Sequence, residues 1–115
     1  MQLPNYKLPS FVALKSPTQE VQAAQLLPTS VKQAQTNYLL DKLQEEAAEV
    51  IQAVSKIRRF GENNTHPERK TTNKQELVIE LEDLLAILAA LEYAQYLDLQ
   101  PSQQNILQKT KQLIS

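Results

Sequence analysis

The sequence predicts an all-α protein, a helical bundle that is completed by oligomerisation. The chain has 115 residues but only one Gly and six Pro, and it lacks the alternating apolar segments between short turns that β-sandwiches and barrels need. Apolar residues recur at helical spacing between positions 39 and 57. A second segment, residues 77–91, is apolar nearly all round, and such a helix must be buried on nearly all sides. A chain this short can hardly bury it alone, so we expect an oligomer.

Length and composition exclude several classes of protein. The length suits a single domain with a modest core. The net charge of −1 argues against an unspecific nucleic-acid binder, and the absence of Cys excludes disulfides and thiolate metal sites. The N-terminus does not resemble a signal peptide, and the longest apolar run, Leu84 to Leu91, is too short to cross a bilayer. We therefore expect a cytoplasmic protein with neither nucleic acid nor membrane as a partner.

Two parts of the chain differ in character. Residues 1–29 are predicted to be an N-terminal arm, because four prolines interrupt them and a proline disfavours helix in the residue before it. A short helix from Thr18 to about Leu27 fits inside this arm. Residues 30–115 are predicted to form the α-helical domain.

The first long helix of the domain is predicted from Ser30 to Phe60. Ser30 is the expected N-cap, with Gln33 in the capping-box position. Gly61 is the only Gly of the chain and follows Phe60, where a helix C′ residue is expected. A break near residues 36–37 remains an alternative.

A polar loop, residues 62–72, leads to the second long helix, which is predicted from Lys74 to about Leu97. Asn73 resembles its N-cap, with Glu76 at the reciprocal capping-box position. A nucleotide contact is the second interpretation of Asn73. His66 has no partner in the sequence and is interpreted as a solvated side chain of the loop. A last amphipathic helix is predicted over 103–114.

Two pairs of acidic residues suggest a metal site. Glu46 and Glu49 lie three residues apart on the first helix, and Glu80 and Asp83 have the same spacing on the second. Side chains at i and i+3 lie about 60° apart on one helix face. Two neighbouring helices would then direct four carboxylates at one spot, where they repel unless a divalent cation lies among them.

The remaining charged candidates are less specific. Glu45 points further from the groove and is either a direct participant or a surface residue. Lys56 and Arg59 lie on the acid-bearing side of the first helix and are candidate phosphate ligands, although cations also suit a helix C-terminus. Lys70 and Lys74 are the phosphate-binding candidates of the loop region.

These residues resemble the MazG-like group of all-α nucleoside triphosphate pyrophosphohydrolases, in its single-domain phage- and prophage-type branch. The likeness is carried by Glu45-Glu46-x-x-Glu49, by Glu80-x-x-Asp83 and by the segment from Lys56 to Gly61. It covers roughly residues 36–95. Position 82 is Glu, where the related pattern often has Gly.

The resemblance implies a fold, a reaction and roles for residues. It implies a homodimer or a dimer of dimers that uses Mg²⁺, with Mn²⁺ as an alternative ion, to cleave a nucleoside triphosphate, a deoxynucleotide above all, into the monophosphate and pyrophosphate. Glu46, Glu49, Glu80 and Asp83 would be metal ligands. Glu45 and Glu49 would be catalytic, Glu45 as an outer ligand or water-orienting base.

Two other function classes stay open at this stage. The first is a catalytically silent helical oligomerisation or regulatory module with the same fold. The second is a di-metal bundle of the ferritin-like type, which is disfavoured because such bundles use Glu-x-x-His pairs on their helices and the single His lies in the loop.

Overall fold

The computed structural model describes residues 29–99 and 103–115. Over these ranges the protein consists of three α-helices, α1 (Thr29–Phe60), α2 (Asn73–Tyr93) and α3 (Gln103–Ile114). The β-structure within the same ranges is a single isolated bridge between Thr65 and Thr72. The prediction of an all-α fold is thus confirmed, whereas the predicted arm helix lies outside the described residues.

Helix α1 is continuous across residues 36–37 and ends where the sequence predicted. It begins at Thr29, so Ser30 lies inside the helix and its prediction as the N-cap is wrong. After Phe60, Gly61 adopts φ +89° and its N–H donates to the carbonyl of Ile57 at 2.8 Å. A left-handed C′ residue with this hydrogen bond ends the helix and reverses the chain.

The connecting loop is organised by hydrogen bonds, since it contains no apolar side chain from residue 62 to 72 apart from Pro67. His66 N–H donates to the carbonyl of Thr71, and Lys70 N–H donates back to the carbonyl of His66. At the start of α2, the N–H groups of Asn73 and Lys74 donate to loop carbonyls at 2.8 and 3.0 Å. Loop carbonyls therefore satisfy helix N–H groups that have no partner within the helix.

The N-cap of α2 is Thr72, and the prediction of Asn73 for this position is wrong. Thr72 accepts a hydrogen bond from the backbone of Gln75, and the Gln75 side chain accepts one from the Thr72 N–H, which completes a capping box. Asn73 is buried instead, and its side-chain amide donates to the carbonyl of Gly61 at 2.9 Å. This bond ties the end of α1 to the start of α2.

Helix α2 ends earlier than predicted, at Tyr93 instead of Leu97. Gln95 adopts a left-handed conformation with φ +61°, and its N–H donates to the carbonyl of Glu92. The N–H of Tyr96 donates to the carbonyl of Leu91. The helix therefore stops without a glycine, by a turn that the sequence pattern does not mark.

Helix packing is concentrated between α1 and α2, and it leaves a thin core. Within the described residues, the buried apolar side chains are Ala53 and Leu91. Several large apolar residues of the two long helices are exposed: Val31, Tyr38, Ile51, Val54, Phe60, Val78 and Leu81. The apolar character of α2 is thus only partly buried within one chain.

None of the helices in the described ranges is long and apolar enough to cross a membrane.

We predict that Gly61→Ala lowers the free energy of unfolding by about 1–2 kcal/mol, because an L-residue in the left-handed region is strained. A Cβ at this position would meet no atom within 4 Å, so the effect isolates the backbone conformation. Gly61→Asn should cost less, because Asn tolerates this region better. Urea unfolding measures both variants against Ser55→Ala, at an exposed position of α1. If Gly61→Ala and the wild type are equally stable, the left-handed conformation of residue 61 is contradicted.

Candidate functional site

Four carboxylates from the two long helices meet at one place. Glu46 and Glu49 come from α1, and Glu80 and Asp83 come from α2. One oxygen of each side chain lies within 4.8 Å of the corresponding oxygens of the other three. Glu46 and Glu80 are partly buried, whereas Glu49 and Asp83 are exposed. The structure therefore brings together the four residues that the spacing singled out.

The carboxylates perturb one another. A hydrogen bond with Glu49, burial, and the negative charges of Glu49 and Asp83 raise the pKa of Glu80 to about 7. Burial, followed by the charges of Glu49 and Asp83, raises the pKa of Glu46 as well. One buried oxygen of Glu46 and one of Glu80 have no hydrogen-bond partner among the described residues. Such oxygens are costly to leave unpaired.

This donor set fits a hard divalent cation. Carboxylate oxygens are the ligands that Mg²⁺ and Mn²⁺ accept, and a cation would give the two unpartnered oxygens a partner. It would also offset the mutual repulsion that now favours protonation of Glu80. The acidic cluster can therefore hold a metal ion.

Glu45 lies apart from the cluster. Its carboxylate forms an ion pair with Lys42 at 3.1 Å, one turn earlier on α1, and its side chain is 60% exposed. Its catalytic role remains a prediction.

A cavity of about 430 Å³ opens beside the carboxylates, in the groove between α1 and α2. The two helices and the loop all contribute to its wall: Glu49, Gln52, Ala53, Lys56, His66, Arg69, Asn73, Glu76, Ile79, Glu80 and Asp83. The cavity is therefore continuous with the carboxylate site.

Of the four predicted phosphate ligands, one lines this cavity and three do not. Lys56 lines it, two turns beyond Glu49 on α1. Arg59, Lys70 and Lys74 are exposed and are not among its lining residues, and the Arg59 guanidinium lies 5.3 Å from the centre of the Phe60 ring. Phosphate binding remains a prediction for all four.

Three titratable lining residues, His66, Arg69 and Glu76, were not predicted for the site. His66, interpreted from the sequence as a solvated loop side chain, is partly buried and lines the cavity, and its Nδ1 accepts N–H bonds from Glu68 and Arg69, each at 3.1 Å. Glu76 was predicted as a capping residue. It is only 8% exposed, and its carboxylate accepts the Thr71 hydroxyl at 2.7 Å.

Arg69 is the third of these residues, and it lies 3.4 Å from the Glu76 carboxylate. A weak signal for Glu76 was present in the sequence, since it shares a helix face with Glu80 and Asp83. No signal marks His66 or Arg69, because their positions depend on the loop's hydrogen bonds.

Comparison with known proteins identifies one family. The family model described as phosphoribosyl-ATP pyrophosphohydrolase matches residues 13–110, which is most of the chain. The match begins within the segment predicted as an arm. Comparisons with curated proteins and with solved structures found no match.

We predict that the metal-free protein becomes less stable as the pH rises from about 4.5 to 7. The pKa of Glu80 is raised from 4.5 to about 7 in the folded state, so the folded protein retains a proton that the unfolded chain releases. The stabilisation is complete below pH 4.5 and is lost as the pH rises through 7. Urea unfolding in the presence of a metal chelator measures the free energy of unfolding at each pH.

Glu80→Gln should flatten this dependence, whereas Glu82→Gln, at the exposed neighbouring position, should retain it. Added Mg²⁺ should stabilise the wild type most at high pH, because it binds the deprotonated cluster. A stability that rises from pH 4.5 to 7 without metal would contradict the account of the cluster.

Proposed function

Because the chain belongs to the phosphoribosyl-ATP pyrophosphohydrolase family, we propose that it uses a divalent metal ion to hydrolyse a nucleoside triphosphate to the monophosphate and pyrophosphate. This family is part of the MazG-like all-α superfamily, and its members are pyrophosphohydrolases. Membership thus supports a hydrolase that acts on a nucleotide. The observation that carries the finer proposal is the convergence of four carboxylates beside a cavity that also contains Lys56.

Glu46, Glu49, Glu80 and Asp83 would hold the metal ion, which we propose to be Mg²⁺, with Mn²⁺ as an alternative. When bound, Mg²⁺ neutralises phosphate charge and makes a coordinated water a better nucleophile. The partly buried pair, Glu46 and Glu80, has the unpartnered oxygens that a metal would satisfy.

Glu49 is the best candidate to orient the attacking water and accept its proton. It belongs to the carboxylate cluster and also lines the cavity, and it is exposed, so it can pass the proton on to solvent. The water oxygen would form a bond to the α-phosphorus, and the bond from this phosphorus to the bridging oxygen would break to release pyrophosphate. Lys56 would bind a phosphoryl group during this step.

Two substrates fit this chemistry. The sequence resemblance favours a deoxynucleoside triphosphate and the single-domain phage-type branch, whereas the description of the matching family favours phosphoribosyl-ATP. Both carry the same α–β bond, so the same carboxylates would act on either. A catalytically silent module of the same fold is the alternative from another class, and turnover distinguishes it from both.

We also propose that the active protein is a homodimer or a dimer of dimers. The long helices leave large apolar side chains exposed, among them Ile51 at 66% and Val78 at 50%, while Ala53 and Leu91 are the buried apolar residues of the described ranges. A second copy of the chain would cover such surface, as the apolar character of α2 requires. A cytoplasmic location, and no role for nucleic acid or membrane, complete the proposal.

We predict that the wild type releases pyrophosphate with Mg²⁺ from at least one member of a panel of dNTPs, NTPs and phosphoribosyl-ATP. Glu49→Gln should lower kcat by about 10²–10⁴-fold, because it removes both a metal ligand and the proton acceptor. Glu82→Gln, which removes an exposed acid from α2, should change kcat less than twofold. No turnover of any substrate would favour the silent module.

We predict that sedimentation velocity finds the wild type larger than a monomer. Ile51→Glu should lower the mass, because burial of an unpaired charge at an apolar interface is costly. Gln35→Glu, at an exposed position roughly on the opposite face of α1, is the matched control. A monomeric wild type would refute the proposed assembly without affecting the proposed reaction.

A further inference from the structure

The cavity wall carries two chemically different groups of side chains. Glu49, Glu80 and Asp83 are acids of the carboxylate cluster, and Lys56, His66 and Arg69 are cations or hydrogen-bond donors that line the same cavity. Glu49 and Lys56 are seven residues apart on α1, which corresponds to about 10 Å along the helix axis. A ligand held at the carboxylates can therefore extend towards the loop.

Arg69 is held in place by a buried carboxylate. Glu76 is 8% exposed, and its oxygens face the Thr71 hydroxyl at 2.7 Å and the Arg69 guanidinium at 3.4 Å. Only Nη1 of Arg69 makes this contact, and the side chain remains 58% exposed. A guanidinium has five N–H donors, so others remain for a ligand in the cavity.

The hydrogen bonds of His66 determine which of its nitrogens can donate. Nδ1 accepts two backbone N–H groups, from Glu68 and Arg69, and must therefore carry a lone pair. The proton of the neutral ring is then on Nε2, which is a donor. The same two bonds fix the backbone of Arg69.

Three residues that line the cavity therefore carry hydrogen-bond donors: the Lys56 ammonium, the Arg69 guanidinium and the Nε2–H of His66. Oε1 of Glu76 accepts a hydrogen bond from the Thr71 hydroxyl, whereas Oε2 forms a 3.4 Å ion pair with Arg69 and has no hydrogen-bond partner. The two cations together exceed this one anion by a single positive charge. Donors with an excess of positive charge suit a phosphoryl group.

We propose that His66 and Arg69 form, together with Lys56, a second phosphoryl subsite of the substrate cavity, and that Glu76 positions Arg69. This inference rests on the proposed function for the identity of the ligand. The phosphoryl group comes either from the triphosphate chain, beyond the bond that is cut, or from a ribosyl phosphate attached to the base. Both sources present the same chemistry to these donors.

Two affinity ratios, measured by calorimetry with Mg²⁺, distinguish the sources. The affinity of α,β-methylene-ATP relative to α,β-methylene-ADP reports on the terminal phosphoryl group. The affinity of phosphoribosyl-AMP relative to AMP reports on the ribosyl phosphate. Arg69→Gln should lower one of these ratios about tenfold or more, and Arg69→Lys should restore part of it.

Two substitutions of His66 separate its donor from its role in the loop. In His66→Asn the Oδ1 atom can accept the two backbone N–H groups while the Nε2 donor is lost, so the same ratio should fall. His66→Gln keeps a donor near Nε2 and should retain more of the ratio. Thermal unfolding of each variant checks the loop, and Arg58→Gln, outside the cavity lining, is the matched control.

The proposal is overturned if both affinity ratios stay unchanged in Arg69→Gln and His66→Asn. It is also overturned if these variants lower the affinity for all four ligands, AMP included, by the same factor. A wild type that binds the triphosphate analogue but hydrolyses nothing refutes the proposed function alone, and the ratios still decide the subsite. A wild type that binds none of the four ligands refutes both.

Discussion

Two packed helices hold four carboxylates within 4.8 Å of one another, and the repulsion among these groups is the constraint that defines the site. Burial is the main cause of the raised pKa of Glu46, a hydrogen bond with Glu49 is the main cause of the raised pKa of Glu80, and the charges of the neighbouring carboxylates raise both further. Protons retained on these groups relieve part of the repulsion. A cation would relieve it without protons. The helix pairing thus sustains an unfavourable arrangement, as functional sites often do.

The register that creates the cluster is set where the two helices are joined. Gly61 turns the chain, and the Asn73 side chain binds its carbonyl, so the end of α1 and the start of α2 are joined directly. From this junction the helices run back alongside each other, and two to three turns later the acidic pairs meet. The loop that makes the junction also brings His66 and Arg69 to the cavity. The same connection therefore sets the register of the carboxylates and places the loop residues at the proposed substrate site.

The cavity wall combines the acids of the carboxylate cluster, and the further acid Glu76, with the cations and donors Lys56, His66 and Arg69. A metal-bound nucleotide has the complementary pattern, because its cation needs oxygen ligands and its phosphoryl groups need donors. The thin core offers little apolar burial to support this arrangement within one chain. In the proposed assembly, contacts between copies would supply the missing burial.

The sequence alone determined the all-α class, the end of α1 at Gly61, the span of α3 and the two acidic pairs, because helix periodicity and a C′ glycine are local properties. It did not determine the cap of α2. Asn73 with Glu76 was predicted, whereas Thr72 with Gln75 forms the capping box and the Asn73 side chain donates to the carbonyl of Gly61. His66 and Arg69 reach the cavity only through backbone hydrogen bonds of a polar loop, and these depend on the folded chain. Spacing predicted the carboxylates, but only the tertiary structure placed the loop's donors in the same cavity.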